Sequence, residues 1–429
     1  MKRRHSTAVE TAPFGRWMTA ASAAVLVGNG LLATARGDWP EFLGPGGRGV
    51  ATESVRSRWS EDDGIAWKTD LPGRGASSPI VIGDVVVVTA ASGPRQDRLH
   101  VVALDADSGQ VRWRRTFQAT GRTLCHPTSS VAAPTPAAAD GRIVALFSSC
   151  DLFALDLEGR LLWQRNLALE HPKSGNDVGM GSSPRIIDGT VVVQIDCQGD
   201  AFASGIDLAT GEDRWSVPRD RIASWASPLP VTLSDGRAGV LLQNPNGLEL
   251  RDVSDGRLVW SWKGDCSGIP TTAALARRLF APVSGLVAVD PEEGAAVTGG
   301  AVAGDPGPAS IRPAWQQPKL SCGMASPVAW GDAVACINRA GVLVIGGAAD
   351  GGLRGQVRLA GSFWGSPVVA GDTIVAVGKE GRTFLVAASD PPRIVADNEL
   401  PGTFTASPAV DGGALYLRSE TTLWKVAAP

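Results

Sequence analysis

A short signature recurs along this chain: a small residue, then proline, then alternating apolar residues broken by a tight Gly/Asp turn. Copies begin at Ser78-Pro79, Thr135-Pro136, Ser183-Pro184, Ser227-Pro228, Ser326-Pro327, Ser366-Pro367 and Ser407-Pro408. A weaker copy, Ile269-Pro270, falls between the fourth and fifth. Successive copies lie about 57, 48, 44, 42, 57, 40 and 41 residues apart, the period of a four-stranded unit. Such a unit cannot bury its apolar faces alone, so each must stack on its neighbours.

Within a unit the pattern reads as four short strands. In the first, Ile80 to Ile82, Val85 to Thr89, Leu99 to Leu104 and Val111 to Arg115 alternate with turns at Gly83-Asp84 and Asp105 to Gly109. The last strand carries Trp113, and the turn-then-tryptophan pattern returns at Gly159 and Trp163, Gly211 and Trp215, and Gly256 and Trp260. A ring at that point buries large apolar area between units. In later units Val357 and Ile394 stand near the corresponding place. The unit from Ser407 stops after three strands, and Ile65-Ala66-Trp67-Lys68-Thr69 reads as a strand standing alone before the first unit. Pairing the two closes the ring and removes its exposed edge. The expected fold is all-β: an eight-bladed β-propeller closed by an N-terminal strand that completes the last blade.

Composition narrows the function classes. With 429 residues, 19% charged and a net charge of -3, the chain is neither disordered nor a polybasic nucleic-acid binder. Only four histidines are present, too few for a multi-histidine metal centre. Residues 1–35 read as a signal peptide: Lys2, Arg3, Arg4 and Arg16 precede an apolar stretch ending in Ala33-Thr34-Ala35. Residues 36–429 read as one propeller domain, exported to the periplasm or the outside, monomeric and without a membrane span once the signal is removed.

The opening Asp38-Trp39-Pro40-Glu41-Phe42-Leu43-Gly44-Pro45 resembles a leader of exported planctomycete-type proteins of the pyrroloquinoline-quinone-like (PQQ-like) β-propeller repeat family. Similar too are Trp67-Lys68 with Leu71-Pro72-Gly73-Arg74-Gly75, Leu155-Asp156-Leu157-Glu158-Gly159 with Leu162-Trp163, and Ser224-Trp225-Ala226-Ser227-Pro228. Related propellers include quinoprotein alcohol dehydrogenases and the lipoprotein of the outer-membrane β-barrel assembly machine. The resemblance implies the fold; it does not by itself transfer an activity. The quinoprotein dehydrogenases hold their quinone beside a calcium ion and against a disulfide between adjacent cysteines. This sequence has no Cys-Cys pair and no calcium-loop pattern.

Binding residues are expected where the loop before each inner strand and the turn between second and third strands open on one side. That face gathers His126, Asp177, Asp196, Trp225, Asn244, Arg339, Trp364, Lys379 and Glu380, with Gln198, Asn246 and Asn338 beside them. These are also ordinary turn residue types, and the two tryptophans could equally plug the central channel. Export permits disulfides, and Cys266 with Cys322 and Cys125 with Cys150 are the expected pairs; Cys336, in an apolar strand, reads as a buried thiol. The expected function is a non-catalytic binding or assembly scaffold for a protein or glycan partner, with no catalytic residue, metal or cofactor. The alternatives are a PQQ-dependent alcohol or sugar dehydrogenase using calcium, and a polysaccharide-recognition module.

Overall fold

The structure is a computed structural model that describes residues 38–291 and 313–428. The expected signal peptide and its cleavage site lie outside the described residues, and so does nearly all of the alanine-, glycine- and proline-rich stretch 294–313, which the sequence suggests is an extended loop. Eight antiparallel sheets of four strands form the blades, one of them carrying a fifth strand. In blade 1 the strands run Ile80–Ile82, Val85–Ser92, Arg98–Asp105 and Val111–Gln118 from the axis outward. The second and third are buried on both faces because a neighbouring blade covers each, whereas the outermost alternates between exposed and half-buried. Ring closure is as expected. Ile65–Asp70 pairs antiparallel with Thr422–Val426, so one blade joins the beginning of the domain to its end.

The proline signature has a physical meaning at the axis. The hydroxyl residue before each inner strand receives the backbone N–H of its counterpart in the preceding blade. Ser78 N–H donates to Thr135 Oγ1 (2.9 Å), Thr135 to Ser183 (3.0 Å), Ser183 to Ser227 (2.9 Å) and Ser227 to Thr271 (3.0 Å). The circuit continues through Ser326 and Ser366 to Ser407, whose N–H returns to Ser78 Oγ at 3.1 Å. The weak copy is thus displaced from its expected position: the ring residue is Thr271, not Ile269. Elsewhere the following proline has no N–H to satisfy in this crowded place. In blade 5 Thr272 stands there instead, and buried Gln243 Oε1 accepts both its N–H (2.8 Å) and its hydroxyl (2.7 Å).

The tryptophan signature is a repeated lock. The indole of Trp113 donates to Leu157 O (2.7 Å) in the next blade and lies against Gly159; Trp163 does the same with Leu208 O (2.9 Å) and Gly211. Trp215 meets Val253 O (2.7 Å) and Gly256. Two further locks were not anticipated: Trp67 to Ala106 O (3.0 Å) over Gly109, and Trp315 to Ala348 O (3.1 Å) over Gly351. Gly256 shows why the turn needs glycine. Its φ is +72°, and a Cβ would stand 2.7 Å from the Trp215 ring.

Candidate functional site

Residues 38–51 strap the end of the ring away from the hydroxyl circuit. Trp39 exchanges backbone hydrogen bonds with Val81 (2.9 Å each way), Pro40 O accepts the Ala138 N–H (2.8 Å), and Val50–Ala51 adds in parallel to the inner strand Val368–Ala370. Fully buried Arg185 fastens the middle. It donates to Phe42 O (2.6 Å) and Pro228 O (2.9 Å) and lies 3.2 Å from the Glu41 carboxylate. An arginine this deep is tolerable because a charge partner and carbonyl acceptors replace its water.

Phe42 reaches through to the axis and closes the bottom of a cavity of 370 Å³. Six of the eight ring hydroxyls, those of Ser78, Thr135, Ser183, Ser227, Thr271 and Ser407, surround it. Each of these oxygens accepts an amide N–H, and among the described residues none of their protons is given to a protein acceptor. The walls are Trp225, Trp364, Met324, Val178, Ile269 and the exposed imidazole of His126. The result is a blind pocket with apolar sides and a hydroxyl collar.

Three of the expected site residues therefore converge here: His126, Trp225 and Trp364. Trp225 is pinned, its indole donating to Gly179 O (2.8 Å) and its own N–H to Gly268 O (2.6 Å). Among the described residues Trp364 has no acceptor for its indole N–H, and the Lys379 ammonium sits 6.0 Å from its ring centre. Lys379 is thus held at the rim, while Glu380 and Arg339 are exposed beyond it. His126 Nδ1 accepts the Thr128 N–H at 3.2 Å, so the neutral ring carries its proton on Nε2. Asp177 is exposed and paired with Arg122 at 2.7 Å.

Asp196 and Asn244 are not brought into the pocket. Asp196 is fully buried and meets Arg219 Nε at 3.0 Å; burial pushes its carboxyl up, and the Arg219 guanidinium opposes that rise. Asn244 is buried and uses Oδ1 to accept the Asn246 N–H at 2.9 Å, which shapes its own turn. Met324, Val178 and Phe42 were not anticipated in the lining. The hydroxyl collar had a visible signal, since seven of the repeats carry Ser or Thr, not merely a small residue, before proline.

The cysteines are arranged differently from the expected pairs. Cys125 packs against the core between blades 1 and 2, whereas Cys150 belongs to that between blades 2 and 3. Cys266 belongs to the core between blades 4 and 5. Cys322 lies beside buried Cys336, their sulfurs 3.1 Å apart, and all six are thiols in the structure. Among the described residues no group of three or more His, Cys, Asp or Glu is placed to hold a metal ion, and no helix is long and apolar enough to cross a membrane.

Comparison with known proteins bears on the whole ring. The chain is 31% identical over 207 residues to the outer membrane protein assembly factor BamB of Escherichia coli (strain K12), covering 47% of this chain and 46% of that protein. It is 28% identical over 200 residues to the polyvinylalcohol dehydrogenase of Sphingopyxis sp. (strain 113P3), covering 43% of this chain and 27% of the enzyme. The matches thus span less than half the length of either relative. Among solved structures, BamB from Moraxella catarrhalis superposes with a TM-score of 0.60 at 18% identity over 84% of this chain and 96% of its own. The quinohemoprotein alcohol dehydrogenase from Comamonas testosteroni gives 0.64 at 12% over 92% and 81%. Those two likenesses show the fold alone. A family model matches residues 57–261 and again 204–428, so that nearly all of the ring is covered; the chain belongs to the β-propeller family described as outer membrane protein assembly factor BamB.

Proposed function

We propose that this propeller is a recognition module that docks a partner protein on its pocket face. An aromatic or long aliphatic side chain of the partner enters the blind pocket. The observation that carries this reading is the pocket itself: apolar walls, a collar of hydroxyls able to donate and to accept, and a floor shut by Phe42. Exposed Val178 in the pocket wall, whose carbonyl accepts the His126 N–H at 3.1 Å, adds accessible apolar surface of the kind that docking uses. A side chain with an apolar body and a hydrogen-bonding tip, such as tyrosine, satisfies both walls and collar. The family match to an assembly factor supports the same reading.

The likeness to polyvinylalcohol dehydrogenase calls for a test of fit to the quinone. Pyrroloquinoline quinone is a tricarboxylic acid that the quinoprotein dehydrogenases hold beside calcium. Among the described residues no Lys or Arg lines the pocket to meet its carboxylates, and no Asp or Glu lines it to ligate the cation. The donor set does not fit the group. Short peptides bearing tyrosine or leucine, with an alanine version as control, should raise the thermal midpoint saturably, and Trp364→Ala should abolish the rise. A saturable rise with the quinone and calcium, with the peptides silent, would overturn the proposal.

A further inference from the structure

We infer that Cys322 and Cys336 form a disulfide within blade 6 once the protein meets a thiol oxidant. Their sulfurs are 3.1 Å apart, inside the ordinary contact distance of two sulfur atoms. The main chain on both sides is already clamped, because the N–H of Gly323 donates to Ile337 O at 2.8 Å, one residue beyond each cysteine. A Cβ on Gly323 would stand 3.1 Å from the Arg339 backbone nitrogen, a measure of how closely the two segments run. Bringing the sulfurs to the roughly 2.05 Å of a disulfide therefore asks for side-chain adjustment, not chain movement. Among the described residues no other pair of cysteine sulfurs is in hydrogen-bonding contact.

The two thiols differ in access, and that assigns their order. Cys322 is half-buried and Cys336 fully buried on the strand Ala333–Ile337. With oxidised glutathione as oxidant, the Cys322 thiolate attacks one of its sulfurs and expels one glutathione thiolate, leaving a mixed disulfide. Cys336 then loses its proton and displaces the second glutathione from Cys322. Two thiols are oxidised, one glutathione disulfide is reduced to two thiols, and the protons lost by the cysteines appear on these. Burial pushes the Cys336 thiol well above its usual range, which makes the second displacement the slower. The bond would staple the chain two residues before Met324 of the pocket wall to the second strand of its own blade.

The test uses the full chain, reduced, then incubated with oxidised glutathione, denatured, alkylated and digested for mass spectrometry. The expected result is a linked peptide pair carrying Cys322 and Cys336, with the other four of the six cysteines alkylated. Oxidation should also raise the thermal midpoint of the unmodified sequence, because the staple restricts the unfolded chain, and should leave that of Cys322→Ser unchanged. Six alkylated cysteines after oxidation, or a bond joining Cys322 to Cys266 instead, would overturn the inference. The peptide map needs no variant, so a poorly folding Cys322→Ser does not blunt it.

Discussion

The contact between blades 3 and 4 and the contact between blades 6 and 7 solve one packing problem with opposite chemistry. In the first, the outer strand supplies a large ring, Trp215, and the facing turn supplies Gly256. In the second, the same place in the outer strand, opposite Ile345 just before the strand irregularity, is Gly355. The bulk comes from the other side, where a Cβ on Gly355 would lie 2.4 Å from Pro392 Cδ. The contact from blade 7 to blade 8 follows a third course. Its outer strand offers only Ala396, and Trp59, before the first blade, packs in the same core, where a Cβ on Gly64 of the facing turn would stand 3.0 Å from Trp59 Cβ. What the ring conserves from blade to blade is therefore a filled volume, and either partner, or a distant segment, can fill it.

The largest effect expected from breaking this scheme is Trp215→Ala. The indole is buried and hydrogen-bonded, so its removal should cost about 3–5 kcal/mol in urea unfolding and lower the thermal midpoint. Gly256→Ala and Gly355→Ala should each cost about 1–3 kcal/mol, since each added methyl meets a body that cannot retreat. Joined with Trp215→Ala, the Gly256 change should cost clearly less than the sum, because the ring it struck is gone. The Gly355 change, at a distant interface, should add in full. Coupling between Gly355 and Trp215 as strong as that between Gly256 and Trp215 would show that the two contacts are not independent.

Acid should loosen the locks slightly. The turn that receives Trp163 is shaped by Asp207, whose carboxyl is held down to about 2 from the ordinary 3.8, first by Arg214 and then by the Thr210 N–H. A carboxyl lowered by folding contributes stability above its unfolded value, and that contribution fades as pH falls through the folded one. The thermal midpoint should thus drop between about pH 4 and 2, and by less in Arg214→Gln. The Asp207–Arg214 pair is only partly buried and water screens it, so this is the smallest effect of the series.

Much of the ring could be read from the chain because its rules are local. Turn glycines, strand alternation and the residue before proline each repeat within one blade, and the count of eight and the closing strand follow from them. What escaped was whatever one blade supplies to another. Thr271 could not be found from its own neighbours, because the glutamine that replaces the missing proline comes from the preceding blade. Trp315 follows a stretch rich in alanine, glycine and proline that obscures its turn, and Val357 and Ile394 each stand two residues from the equivalent positions, which Gly355 and Ala396 occupy. At the site, the loop register found His126, Trp225 and Trp364. It also placed Asp196 and Asn244 on the same face, where Asp196 instead serves buried Arg219 and Asn244 shapes its own turn. Phe42 was legible as part of a motif, but its place at the axis depends on a strap that crosses the ring.

The closing blade has a bearing on how the molecule is made. Ile65–Asp70 leaves the ribosome early, yet its partner Thr422–Val426 comes almost at the end of the chain. The hydroxyl circuit has the same gap, for the Ser407 N–H must find Ser78, 329 residues earlier. Until then the first blades are an open arc with a bare edge on each side, and no amount of early folding can complete them. Contacts this distant in sequence delay folding, since a large loop must close before they reward it. A chain halted shortly before its last thirty or so residues would keep most of its strands and still lack a closed circle.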